Sequence, residues 1–184
     1  DQVYERLFEG LKFYGVRFFK GIDTVKNAKV ATIHFAKNFP LSNYMTAHEA
    51  ITEIQKCDVT TWRDVSQSDY VNNGHGFKTH SKHYELAFYD KIAEYHKGKR
   101  NQPVFDTDLQ LQMDLFSDNQ IVQPFEVLRM EARLNNQRII KSTLKKAGFE
   151  GVEVTLAALC KKDISQAVLK QQLAELYSRY PKIS

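Results

Sequence analysis

One stretch carries, in close succession, the residue types that phosphate chemistry needs: Phe77-Lys-Thr-His-Ser-Lys-His-Tyr-Glu-Leu-Ala-Phe-Tyr-Asp-Lys91. Side chains alternate across a strand, so an extended reading puts His83, Glu85, Ala87, Tyr89 and Lys91 on one face and Tyr84, Leu86 and Phe88 on the other. An ordinary half-buried strand sends apolar residues to the core and solubilising ones to water. Here the non-core face offers a histidine, a carboxylate, a phenol and an amine. Those groups serve as a metal ligand, a general acid or base, a nucleophile and a phosphate-binding charge.

Two other segments can build the same kind of face. In Val30-Ala-Thr-Ile-His-Phe-Ala-Lys-Asn38, Ile33 and Phe35 point one way and Thr32, His34 and Asn38 the other. In Val127-Leu-Arg-Met-Glu-Ala-Arg-Leu134, Leu128, Met130, Ala132 and Leu134 form an apolar row, and Arg129, Glu131 and Arg133 a charged one. If the three strands share a sheet, His34, Tyr89, Lys91, Glu131 and two arginines gather on one side.

The elements that would hold these strands follow from periodicity and caps. Val3, Leu7, Phe8, Leu11 and Tyr14 recur at helical spacing and predict an amphipathic helix over 2–14. A turn around Gly21-Ile-Asp23 leads to a strand at 29–38, which Pro40 ends. Thr46 caps a helix over 47–56 with Ala47, Ile51 and Ile54 inward. Residues 58–70, with Trp62 in the core, read as a strand, and Asn72-Asn-Gly-His-Gly76 as the turn joining it to 77–91 in a long hairpin. Residues 97–120 read as a mobile loop with one helix. A strand at 124–134 follows. Asn135 or Asn136 then caps a helix with Ile139, Ile140 and Leu144 inward, closed by Gly148. Ser165 starts the last helix. The expected class is α+β, an antiparallel β-sheet with helices on one face and a polar active-site face on the other.

The chain has 184 residues, 42% hydrophobic and 12% aromatic, enough for one domain with a real core. The expected arrangement is a single domain, core 25–148 with a helical extension at 152–180. It opens on Asp1, so a piece of a longer protein is expected. A net charge of +4 permits an anionic partner without demanding one. Cys57 and Cys160 have no metal-type spacing and read as reduced, buried thiols of a cytoplasmic protein. No run reaches the ~18 apolar residues of a membrane-spanning helix, so no membrane partner is expected. Glycine-rich phosphate loops, His-Glu-x-x-His, Gly-x-Ser-x-Gly and zinc-finger spacings are all missing, which removes many enzyme classes.

Ile33-His-Phe-Ala-Lys-Asn38, Tyr84-Glu-Leu-Ala-Phe-Tyr-Asp-Lys91 and Leu128-Arg-Met-Glu-Ala-Arg-Leu134, in that order, resemble the replication initiators of rolling-circle phages and plasmids, in particular the filamentous-phage type. The resemblance implies nicking of one origin strand through a phosphotyrosine link, with single-stranded or hairpin origin DNA as partner. It also implies a divalent metal held by His or acidic residues. Ala36 stands where related initiators carry the second histidine of a His-hydrophobe-His triplet, and no Tyr-x-x-Lys helix is present.

On this reading Tyr89 is the nucleophile and Lys91 its cationic neighbour, with Tyr84 and Tyr95 as alternatives. The plainer reading makes Tyr89 a half-buried strand tyrosine. His34, Glu131 and Glu85 are the candidate ligands, and their chemistry without cysteine suits Mg²⁺ or Mn²⁺. Glu131 also suits acid–base work, or a simple salt-bridge ladder. Arg129, Arg133, His80, His83, Lys97, Lys99 and Arg100 are candidate DNA contacts, as are Lys141, Lys145 and Lys146. Two other classes stay open: a module that binds an origin or hairpin without cutting, and a metal nuclease that activates water. Oligomeric state stays open as well.

Overall fold

A computed structural model describes residues 2–41, 45–59, 69–71, 75–94 and 126–181. The chain divides into two compact units, one of Asp1–Phe35 with Arg133–Ala174, the other of Ala36–Ala132 with Glu175–Ser184. The class is α+β. Five strands form one sheet in the order β1-β5-β4-β3-β2: β1 (Ile33–Pro40), β2 (Asp69–Val71), β3 (Gly76–Ser81), β4 (Tyr84–Asp90) and β5 (Val127–Leu134).

The second unit holds the greater part of this sheet. The strand expected over 77–91 is a hairpin. Lys82 and His83 form a two-residue turn between Ser81 and Tyr84, and β3 runs antiparallel to β4 with Phe77 opposite Phe88 and Thr79 opposite Leu86. The reason lies in the phase of Phe77. A continuous strand would place it on the face of Glu85 and Tyr89, whereas the fold-back pairs it with Phe88 on the core side, and both are buried. β2 pairs with β3, Val71 opposite Gly76, so the hairpin expected on the other side of Asn72–Gly76 exists over its described part. Trp62 and the loop expected over 97–120 lie outside the described residues.

Helix α3 (Ala47–Gln55) lies against β3 and β4 and buries Ala47, Ala50 and Ile51, while Ile54 is half-buried. Its start is fixed twice. Thr46 and Glu49 form a reciprocal capping box, and the Glu126 carboxylate accepts from the Ala47 amide at 2.6 Å. The apolar row of β5 is buried as expected, including Leu128, Met130 and Ala132 in this unit.

The first unit is helical. It contains α1 (Gln2–Phe13), α2 (Ile22–Lys26), α4 (Gln137–Lys146), α5 (Leu156–Leu159) and most of α6 (Lys162–Tyr177). Val25, Ile140, Leu144, Val154, Leu159, Ile164 and Val168 make its core. Asn136 caps α4 through the Ile139 amide, and Gly148 follows it at φ +87°, a conformation glycine adopts without strain.

Four expectations change here. α1 forms but buries none of its residues, because its neighbour α2 has five residues and cannot cover a twelve-residue stripe. Lys29 pairs with Thr155 outside the sheet, so β1 begins at Ile33 rather than 29. The last helix begins at Lys162, with Ser165 in its first turn bonding the Lys162 carbonyl. Cys160 is exposed at the end of α5, whereas Cys57 is buried and its thiol is pushed up by that burial.

Candidate active site on the polar sheet face

Alternation along β5 puts Glu131 between Arg129 and Arg133 on the face away from Leu128, Met130 and Ala132. Glu131 is only 7% exposed. A carboxylate taken out of water is costly unless cations and hydrogen-bond donors surround it. Here one oxygen, Oε1, accepts from the Tyr89 hydroxyl at 2.6 Å and from Arg129 Nε at 2.7 Å. The same guanidinium donates through NH1 to Asn38 Oδ1 at 3.2 Å. Three neighbouring strands therefore meet in one network: Tyr89 from β4, Arg129 and Glu131 from β5, and Asn38 from β1.

Lys91 lies on a different element than expected. β4 ends at Asp90 and Lys91 opens a helical turn over 91–94. It is half-buried, and its amine loses its proton more readily than an ordinary lysine. Burial is the first cause and the Arg129 charge the second, with Glu131 and Glu94 acting in the opposite sense. Its amine thus lies within electrostatic reach of both β5 side chains.

The remaining candidates are placed as follows. Glu85 faces Lys78 at 3.9 Å and stands opposite His80, four residues back along β4 from Tyr89, roughly 13 Å. Tyr84 closes the β3–β4 ladder opposite Ser81 and shares its strand face with Leu86 and Phe88 rather than with Tyr89. His83 is in the turn and not on the strand face where the extended reading put it. His34 is exposed, and it and Arg133 belong to the first unit. Among the described residues no three His, Cys, Asp or Glu side chains gather as a metal site. Tyr95, Lys97, Lys99 and Arg100 lie outside the described residues. Lys145 of α4 pairs with Glu150 at 2.5 Å.

Sequence reasoning placed Asn38 on a polar face without giving it a role. It passed over Lys78 and Asp90. Lys78 was masked by the extended reading, which put it out of phase with Tyr89. The fold-back brings Lys78 opposite Ala87 on the polar face.

This arrangement can take a proton from a phenol and hold cations beside it. Residues 2–153 match the family model that describes the N-terminal part of a phage replication-associated protein. The chain belongs to that phage replication-protein family. Membership supports a role in the initiation of phage DNA replication. No curated protein and no solved structure gives a significant match. No helix among the described residues is long and apolar enough to cross a membrane.

Proposed function

We propose that this member of the phage replication-protein family nicks one strand of a replication origin with Tyr89 as nucleophile. The observation that carries the reading is the 2.6 Å bond from the Tyr89 hydroxyl to a buried carboxylate. A phenol with an ordinary pKa near 10 is a poor nucleophile at neutral pH. A carboxylate within hydrogen-bond reach can accept its proton as the attack proceeds.

In the proposed step the Tyr89 oxygen attacks the scissile phosphorus and the phenolic proton passes to Glu131. The P–O3′ bond breaks, the departing 3′ oxygen takes up a proton to become a hydroxyl, and the 5′ phosphate stays on Tyr89. Attack by a 3′ hydroxyl on that linkage reverses the sequence and rejoins the strand. Arg129 and Lys91 stabilise the charge that develops on the phosphate oxygens. The substrate is single-stranded or hairpin origin DNA.

A requirement for Mg²⁺ or Mn²⁺ is proposed alongside, with Glu131 the candidate ligand beside the nucleophile. No step is routed through the ion, because the described residues do not supply it with a set of three ligands. Incubation with origin oligonucleotides and Mn²⁺ or Mg²⁺, resolved on a denaturing gel, tests the proposal. A slower-migrating protein band that disappears in Tyr89→Phe is expected. Binding without any such band would favour a module that holds origin DNA without cutting. Cleavage without it would favour activated water.

A further inference from the structure

We propose that Asp90 is the positioning residue for Lys91, a role that rests on reading Tyr89 as the nucleophile. Asp90 ends β4, is 6% exposed, and points to the core face of the strand, away from Tyr89. It cannot touch a phosphate beside Tyr89. A buried carboxylate in such a place must be held by donors. Its Oδ1 accepts from the amides of Ile92 at 2.8 Å and Ala93 at 3.0 Å. Its Oδ2 faces His75 Nδ1 at 3.6 Å, and its own amide donates to the His75 carbonyl at 3.0 Å.

One residue therefore does two things. Its carboxylate stops the strand by capping the turn over 91–94, while its backbone amide ties the end of β4 to the residue that leads into β3. Lys91 is the first residue of that turn. Left to the strand alternation, Lys91 would continue along the sheet. The cap fixes the backbone from which the Lys91 side chain departs, two residues after Tyr89.

The test compares nicking rates of Asp90→Ala, Asp90→Asn, Lys91→Ala and the double variant Asp90→Ala/Lys91→Ala, together with the rate of chemical acetylation of the Lys91 amine read by mass spectrometry. Asp90→Ala is expected to slow nicking about 100-fold, the scale of a misplaced group. Asn keeps the Oδ1 acceptor, so Asp90→Asn is expected to stay within about threefold. The double variant is expected to be no slower than Lys91→Ala alone, because one residue acts through the other. Acetylation of Lys91, expressed per unprotonated amine from its pH dependence, is expected to quicken in Asp90→Ala and not in Asp90→Asn.

Multiplying losses in the double variant, or unchanged acetylation in Asp90→Ala, would overturn the assignment. If Asp90→Ala does not fold, Asp90→Glu carries the same expectations, since the longer side chain moves its oxygens out of reach of both amides. If no variant nicks because Tyr89 is not the nucleophile, the acetylation rates still decide the role of Asp90.

Discussion

The two ends of the β3–β4 ladder both carry a carboxylate beside a cation, and they differ in what surrounds it. At the Tyr89 end the Glu131 side chain is 9% exposed, and its Oε1 receives two donors at 2.6 and 2.7 Å. At the turn end the Glu85 side chain is 22% exposed and lies 3.9 Å from Lys78. A partly exposed ion pair contributes little to stability. A buried carboxylate with fixed donors is costly to assemble and has a defined geometry, as expected where a proton must move. Residue types alone do not separate the two ends; burial and donor geometry do.

The largest effect that can break this comparison is expected from Glu131→Gln. It removes the proposed proton acceptor while keeping the side chain's size, and nicking is expected to fall by about 10²–10⁴-fold. Covalent-adduct rates on an origin oligonucleotide would measure it, and a loss under about tenfold would place the proton elsewhere.

Arg129→Lys comes next. A lysine cannot donate at once to Glu131 and Asn38 from two edges of a planar group. Nicking is expected to fall by about 10–100-fold, and chemical denaturation to report a stability loss of about 1–3 kcal/mol.

Lys91→Met sharpens the comparison through opposite signs. The methionine keeps the apolar stem and removes a charge that burial disfavours, so nicking should slow while thermal stability holds or rises. The pH dependence follows. The Lys91 amine deprotonates more readily in the folded chain than in the unfolded one, whose value is near 10.4. Between those two values the unfolded chain binds more protons, so wild-type stability gains from rising pH. Lys91→Met should lose that gain, as thermal melts on the alkaline side would reveal.

Glu85→Gln marks the small end of the scale. It is expected to change nicking by less than about twofold and stability by less than about 0.5 kcal/mol. An effect matching that of Glu131→Gln would erase the distinction between the two ends.

The charged row Arg129, Glu131, Arg133 and its apolar counterpart were legible because strand alternation is local. So were the Thr46 and Asn136 caps and Gly148, since each depends on one side chain and its nearest amides or on one backbone angle. The turn at Lys82-His83 carries no glycine or Asn-Gly signal, so the hairpin was hidden except for the phase of Phe77. The Tyr89–Glu131 bond joins positions 42 apart and exists because β5 lies between β1 and β4. Chain order contains no trace of that insertion. Asp90 read as one more strand residue because its role appears only where the strand stops. The exposure of α1 and of Cys160 likewise depends on the packing of distant elements.

The most direct test of the central claim is to trap the protein–DNA adduct, digest both components, and locate the nucleotide-bearing tyrosine by mass spectrometry. A nucleotide is expected on Tyr89, with none formed by Tyr89→Phe. A nucleotide on Tyr84 or Tyr95, or cleavage with no modified tyrosine, would contradict it.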